Sequence, residues 1–190
     1  MVPFAPGREP SFRASTSQIG MVVVLLSLSM LFGASLVAVL VTYSKAPSWT
    51  PLPLNSLWPG TALLVLLSLT MEWAARALRR NRHVAVQRGL TLVFLLGTIF
   101  VVAQAAALAS VSKAAIPADR ALPTFCFALL VILHALHVAG GLLAVAWVLR
   151  RAAGGEYSSS RRQGVVLITQ YWHYLGGVWL VLLATLHAIF

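Results

Sequence analysis

The chain has 190 residues, of which 59% are hydrophobic and 9% are charged, and its formal net charge is +10. Long apolar runs without charged side chains place it among polytopic membrane proteins and exclude an ordinary soluble globular domain. The basic residues lie at the ends of these runs, where membrane proteins keep them, so we expect no nucleic-acid partner.

The apolar runs predict an all-α fold, an integral membrane bundle of five transmembrane helices. A polar N-terminal arm covers residues 1–16, and residues 17–190 form one membrane domain. Each span has about 20 residues or more, as a bilayer core of roughly 30 Å requires. The first span lacks the small-residue cleavage pattern of a signal peptide, so we expect it to be retained. The predicted spans are residues 18–41, 57–78, 89–109, 122–149 and 164–190.

The connections between the spans predict the orientation of the bundle. Arginines of the arm and of the second-to-third and fourth-to-fifth connections fall on one side of a five-span chain, and few basic residues fall on the other. The positive-inside rule then predicts a cytoplasmic N-terminus and an external C-terminus. The connections are short, so helices adjacent in the sequence are expected to be antiparallel neighbours. Prolines at positions 47, 51, 53 and 59 rule out a continuous helix through the first connection.

Acidic side chains are scarce, and only Glu72 lies within a predicted span. Arg76 follows it by one helical turn, which predicts an ion pair within the helix. Pumps and secondary transporters normally need carboxylates near the bilayer midplane. The sequence therefore disfavours an independent proton-coupled transporter, although a transporter lined by a cavity stays open.

Four polar side chains lie deep in the predicted spans. With a helical rise of about 1.5 Å per residue, Gln104 and His134 come about 24 Å from the cytoplasmic ends of their helices. His137 and His173 come at about 20 and 14 Å on the same basis. These depths predict a polar seam between the third, fourth and fifth helices. The seam has three open interpretations. The first is hydrogen bonds that tie the helices together, and the second is contact with a lipid headgroup or a neighbouring subunit. The third is ligation, of a metal by His134 and His137 or of a haem b by a pair such as His137 and His173.

Two glycine pairs lie in the interiors of the last two spans. Gly140-Gly141 and Gly176-Gly177 remove side chains from helix surfaces, and Gly33 does the same in the first span. In membranes such positions allow helices to approach closely or leave room for an acyl chain. Close packing is the interpretation that the sequence favours.

The run QYWHYLGGVWL at residues 170–180 resembles the last helix of subunit III of the haem-copper terminal oxidases. The run HALHVAGG at residues 134–141 is similar to that family's His-x-x-His-Val-x-x-Gly, and FVVAQ at residues 100–104 is similar to its Phe-x-x-x-Gln. Weaker likeness in the first two spans extends the resemblance over essentially the whole chain. Three departures stand where the family has membrane carboxylates: Leu28, Ala107 and Gly176. Burying an unpaired charge is costly, so groups that neutralise one another are expected to be lost together.

The resemblance implies an accessory, non-redox subunit of a bacterial aa3-type cytochrome c oxidase, a multi-pass protein of the inner membrane. It implies haem and copper on the partner subunits and no catalytic residue, cofactor or metal on this chain. The implied partners are the large subunit, the other oxidase subunits, and phospholipids in a cleft between the first two helices and the last three. The predicted interior polar or lipid-contact residues are Gln104, His134, His137, His173, Tyr171, Trp172, Glu72, Arg76, Arg79 and Arg80.

Two other functions stay open at this stage. Within the same superfamily, the chain could serve a quinol oxidase or accompany a nitric oxide reductase, because the chemistry of the electron donor lies on other subunits. Outside it, the chain could be a small membrane cytochrome that binds haem b through its helix histidines.

Overall fold

A computed structural model describes residues 16–45, 58–112 and 121–189, and this part of the chain is all-α, as predicted. Its five helices are each long and apolar enough to cross a membrane. The predicted arm, apart from Thr16, and most of the first and third connections lie outside the described residues. The helices are α1 (Thr16–Ser44), α2 (Trp58–Arg79), α3 (His83–Ser112), α4 (Ala121–Ala153) and α5 (Gln163–Ile189).

The turn between α2 and α3 is tighter than the predicted spans suggested. It occupies residues 80–82, and α3 begins at His83, six residues before the predicted span. Asn81 makes this possible with a φ of 52°, in the left-handed region that asparagine tolerates better than most residues. The arginine-rich segment after Arg82 is therefore the first part of a helix.

Glycine ends α4 at the same end of the bundle. Gly155 has a φ of 75°, and the Glu156 N–H donates to the carbonyl of Arg151 at 3.1 Å. A glycine in the left-handed conformation just after the last helical turn satisfies carbonyls that would otherwise lack a partner. We call the end that carries the α2–α3 turn and the α4–α5 loop the basic end.

Helices α2 to α5 pack as sequence neighbours, but α1 and α2 do not contact each other. The expectation of adjacent helices is wrong for this pair. α1 packs on α4 and α5, whereas α2 packs on α3 and α5. A connection of thirteen residues can span about 40 Å when extended, so it does not oblige the two helices to be neighbours.

This arrangement also corrects the expected cleft between the first two helices and the last three. The first two helices do not form a unit, so no such division exists among the described helices. Instead α1 and α2 stand on either side of α5. A cavity of about 410 Å³ lies between α1 and α5, and one of about 270 Å³ lies between α2 and α5. Gly177 lines both cavities.

The interior consists of two apolar clusters. The larger joins α2, α3, α4 and α5, and its best-buried members include Met71, Leu90, Phe100 and Trp172. The smaller attaches α1 to α4 and α5 through residues such as Phe32 and Leu130. Most of the α1 surface lies outside both clusters, and Met30 is 80% exposed. α1 is therefore the peripheral helix, and α4 and α5 contribute to both clusters.

Candidate functional site

The run from Tyr171 to Tyr174 sends four consecutive side chains toward four different helices. Successive residues of an α-helix are rotated by about 100°, so four in a row point around the whole circumference. Tyr171 reaches α4, Trp172 reaches α3, His173 reaches α2 and Tyr174 reaches α1. The polar and aromatic residues that the sequence singled out are thus the attachments of α5 to the rest of the bundle.

The attachment to α4 uses the backbone at His137. The Tyr171 hydroxyl donates to the His137 carbonyl at 2.9 Å. The His137 ring turns back on its own helix, where Nδ1–H donates to the Leu133 carbonyl at 2.6 Å. Its edge packs against Phe32 of α1, with ring centroids 5.3 Å apart. His137 therefore contributes to the α1–α4–α5 contact through its backbone and its ring.

Trp172 fills the space between α3 and α4. It is 2% exposed, and its ring lies against the helix surfaces at Gly97 and Gly141. A Cβ added at Gly141 would come within 2.9 Å of the Tyr171 ring and 3.3 Å of the Trp172 ring. Gly141 thus has the close-packing role that the sequence predicts, whereas a Cβ at Gly140 would meet nothing within 4 Å.

His134 is enclosed by aromatic rings. It is 1% exposed, and neither ring nitrogen has a hydrogen-bond partner among the described residues. Phe32, Phe100 and Trp179 surround it at centroid distances of 6.0, 6.1 and 5.2 Å. The first two meet it edge to face, and Trp179 lies tilted over it at 35°. His134 therefore packs as an aromatic side chain rather than as a hydrogen-bonding one.

Two further polar groups lie near the aromatic rings that surround His134. The Trp179 indole N–H donates to the Thr61 hydroxyl at 3.0 Å, which ties α5 to α2 in the interior. Gln104 is 7% exposed, and its amide nitrogen lies, with Phe100 and Trp179, within 4 Å of the position that a Cβ on Gly60 would take. Gln104, Phe100 and Trp179 thus converge near Gly60 of α2, and the same two rings pack against His134.

His173 belongs to a different place, on the outside between α2 and α5. Its Nδ1 is hydrogen-bonded to the Ser68 hydroxyl at 2.6 Å, and its Nε2 lies 3.8 Å from the Glu72 carboxylate. The Arg76 Nε–H donates to the other carboxylate oxygen at 2.9 Å, so the ion pair expected within α2 is present. The side chains of His173, Glu72 and Arg76 are 43%, 29% and 66% exposed. We call Ser68, His173, Glu72 and Arg76 the outer polar chain.

The predicted seam is therefore divided between two places. Gln104 and His134 lie in the interior, His137 lies against α1, and His173 lies outside against α2. His137 and His173 do not face a common space, so the geometry does not support a haem held between these two. Among the described residues, no group of three or more His, Cys, Asp or Glu side chains is placed to hold a metal ion.

The basic end is held together by contacts between its turns. The Ser159 N–H donates to the Asn81 side chain at 2.8 Å, and Gln87 donates to the Ala152 carbonyl at 3.1 Å. The Arg151 guanidinium lies 4.6 Å from the Trp147 ring centroid. Burial raises the pKa of Tyr157 in the α4–α5 loop, and the nearby Arg151 charge acts against that shift. Arg79, the last residue of α2, and Arg80, in the turn that follows it, are exposed at this end.

Two of the positions where the family has carboxylates lie in different interfaces. Leu28 is 8% exposed and belongs to the smaller apolar cluster, which attaches α1. Gly176 lines the cavity between α2 and α5. The structure therefore gives no support to mutual neutralisation between groups at these two positions. The side chain of Ala107 lies outside the described part of the chain.

Sequence reasoning missed four of the residues that make these attachments: Thr61, Ser68, Ser29 and Tyr174. The Tyr174 and Ser29 hydroxyls are hydrogen-bonded at 2.9 Å and join α1 to α5. Hydroxyls in membrane helices often satisfy themselves on their own backbone, so sequence alone does not mark them as partners. A signal was available for Tyr174, because four adjacent polar or aromatic residues cannot all face one neighbour.

Comparison with known proteins gives a consistent result. A family model described as cytochrome c oxidase subunit III matches residues 8–189. Cytochrome c oxidase subunit 3 of Synechocystis sp. is 31% identical over 169 residues, which cover 86% of this chain and 71% of that protein. Two probable subunits 3 are also similar. That of Mycobacterium bovis is 27% identical over 143 residues, 75% of this chain and 70% of that protein. That of Nocardia farcinica is 25% identical over 182 residues, 93% of this chain and 90% of that protein.

Proposed function

We propose a function from one premise: the chain belongs to the family of cytochrome c oxidase subunit III. As a member of that family, it is a multi-pass membrane protein and part of an oxidoreductase complex of the respiratory chain. We propose that it is an accessory, non-redox subunit of an aa3-type oxidase of the bacterial inner membrane. Its basic end then faces the cytoplasm, and its C-terminus faces the outside.

One observation supports the accessory role more than any other. The hydrogen bonds of Tyr171, Tyr174 and Trp179 join helices to one another. The interior histidine, His134, is packed among aromatic rings, and no carboxylate of the described residues lies within 4 Å of its ring nitrogens. Polar groups that hydrogen-bond between helices have a structural role, as expected of a subunit that stabilises a neighbour. Redox or proton-relay chemistry needs polar groups that face a common space. Haem and copper accordingly belong to the partner subunits in this proposal.

Bound phospholipid is the second part of the proposal. The cavity between α1 and α5 is lined mainly by apolar side chains, among them Phe32, Leu36 and Leu182, and about 410 Å³ of space accommodates part of an acyl chain. The exposed arginines Arg79 and Arg80 at the basic end are placed to attract anionic headgroups or acidic loops of a partner. Lipid held in this way would lie on the α1 side of α5, beside the face that meets the large subunit.

The test is purification of the tagged chain from its native membrane in mild detergent, followed by a reduced-minus-oxidised visible spectrum and identification of the subunits. An a-type haem spectrum that arrives with a large polytopic partner is the expected result. A b-type spectrum on the isolated chain would contradict the proposal and favour a membrane cytochrome. A quinol oxidase or a nitric oxide reductase as the partner would keep the accessory role and replace the aa3-type assignment.

A further inference from the structure

We infer that the outward face of α5 between α1 and α2 is the docking surface for a transmembrane helix of the partner subunit. We call this face the α5 groove. Its floor consists of His173, Gly177 and Leu180, and its walls are α1 and α2. The inference rests on the proposed function, because it takes the partner to be the haem-bearing subunit of the oxidase.

The outer polar chain is the first reason. Glu72 lies about 10 Å, and His173 about 15 Å, along the helix axis from the basic ends of α2 and α5. Both are therefore within the hydrocarbon or at its border, and they are 29% and 43% exposed there. Ionisable groups at that depth almost always face protein or a water-filled cavity rather than lipid tails. An acyl chain in this groove would leave them without a polar neighbour.

The hydrogen bonds of the outer polar chain are also incomplete. One Glu72 oxygen accepts from Arg76, but the other lies 3.8 Å from His173 Nε2, which is too long for a hydrogen bond. Both atoms therefore retain capacity for a partner from outside the chain. A polar side chain on a docked helix satisfies this requirement.

The outward face of α3 provides the contrast. Its exposed side chains within the span carry no charge. Leu92, Leu95, Ile99 and Val102 recur at helical spacing and are each 47% to 63% exposed, and the exposed Thr98 hydroxyl donates to the Phe94 carbonyl of its own helix. Such a face is matched to lipid tails and needs no protein to cover it. The ionisable side chains that are exposed within the described membrane helices are instead concentrated at the α5 groove and the basic end.

The shape of the groove fits a helix. A Cβ added at Gly176 or Gly177 would meet nothing within 4 Å, so the floor is open at the backbone of α5. The walls do not close over it, because α1 and α2 do not contact each other. Exposed positions recur along the floor at residues 173, 177, 180, 181 and 184, which is the spacing of one helix face. A glycine on such a face lets a second helix approach closely.

These features specify the chemistry of the occupant. His173 and Gly177 are one turn apart, or about 6 Å along the axis. The partner helix should place a small residue against Gly177. About one turn toward the basic end, it should carry a side chain able to hydrogen-bond with Glu72 and His173.

Photo-cross-linking in the intact native membrane tests the inference. A benzophenone amino acid replaces Leu180 on the floor of the groove and, in a matched control, Leu95 on the outward face of α3. Both side chains are 52% exposed, so the probe is equally accessible at the two positions. We expect the probe at position 180 to cross-link to the haem-bearing subunit and the probe at position 95 to form lipid adducts.

A pair of glycine substitutions provides a second measurement. Gly177→Leu fills the floor of the groove, and Gly140→Leu adds the same side chain at another open glycine, on α4. We expect Gly177→Leu to lower the yield of chain recovered with the haem-bearing subunit by roughly threefold or more relative to Gly140→Leu. Equal recovery of both variants in the membrane fraction shows that insertion and folding are intact.

The outcomes separate this inference from the proposed function. Recovery with the haem-bearing subunit, together with only lipid adducts at position 180, would overturn the docking surface and leave the function standing. A cross-link from position 180 to a second copy of this chain, or equal recovery of the two glycine variants, would also overturn it. Failure of the unmodified chain to purify with any haem protein would overturn the function and the docking surface with it.

Discussion

His134 and His173 show two opposite ways of keeping an imidazole in a membrane helix. His134 is 1% exposed, surrounded by three aromatic rings, and without a hydrogen-bond partner among the described residues at either nitrogen. His173 is 43% exposed, hydrogen-bonded to Ser68 of α2 and 3.8 Å from the Glu72 carboxylate of the same helix. Residue type therefore does not determine the role. Which way the side chain points around the helix does.

The difference has an energetic consequence. A buried polar group without a partner destabilises a fold. A polar group that faces a neighbouring protein can instead hydrogen-bond with it and stabilise the complex. We therefore expect substitutions around His134 to change the stability of the isolated chain, and those around His173 to change its association with a partner.

Among substitutions of interior residues, Trp172→Ala should cause the largest loss in the free energy of unfolding. The ring fills the contact among α3, α4 and α5, and its removal leaves a large cavity. We expect a loss of about 3 kcal/mol in the free energy of unfolding in mixed micelles, at the low end of the range for such changes, because lipid is as apolar as the interior. Trp147→Ala is the control, since Trp147 is 54% exposed. Equal losses in the two variants would mean that Trp172 is not a core residue.

His134→Phe should move stability in the other direction. The phenyl ring keeps the aromatic packing and removes two unpartnered nitrogens, so we expect a gain of about 1 kcal/mol in the free energy of unfolding. His173→Phe in the same assay removes one half-exposed hydrogen bond to Ser68 of α2, so we expect a loss of less than about 1 kcal/mol, while the yield of chain recovered with its partner falls. A marked loss of stability in His134→Phe would show that the imidazole has a hydrogen-bond partner, such as a buried water.

Trp179→Phe tests the hydrogen bond between Trp179 of α5 and Thr61 of α2. The change removes the indole N–H that donates to the Thr61 hydroxyl, and both residues are buried. We expect a loss of about 1 kcal/mol from the hydrogen bond, in addition to the small loss of packing volume. Thr61→Val combined with Trp179→Phe forms a double-mutant cycle, and additive losses in that cycle would contradict coupling between the two side chains.

Arg76→Ala should have the smallest effect on the chain itself. The ion pair with Glu72 is mostly exposed, and such pairs within one helix contribute about 0.3–0.5 kcal/mol. Unfolding in micelles should thus change little, while recovery with the partner should fall if the outer polar chain is part of the docking surface. A loss of stability above about 1 kcal/mol would place Arg76 in the core of the fold instead.

Features set by local spacing were predicted from the sequence, and features set by rotation about the helix axis were not. The five helices follow from runs of apolar residues, and the Glu72–Arg76 pair follows from a spacing of one turn. The depths of Gln104 and the histidines come from helical rise, but rise does not say which neighbour a side chain faces. For that reason the predicted seam divides into an interior part and an outer part.

The separation of α1 from α2 could not be predicted for a similar reason. Apolar residues surround α1 almost evenly, so its sequence indicates no buried face that would select a partner. Packing selects α4 and α5 instead, through a few contacts such as the one between Phe32 and His137. Fold class is thus readable from composition and length, whereas helix adjacency depends on contacts between distant parts of the chain.

The side chains from Tyr171 to Tyr174 each contact a different helix, and this arrangement restricts insertions and deletions in α5. One inserted or deleted residue between Gln163 and Tyr171 would turn the rest of α5 by about 100° and shift it by about 1.5 Å. All four neighbours would then lose their contacts at once, although no single side chain had been replaced. The length of this helical segment should therefore be far less variable among relatives than its individual apolar residues.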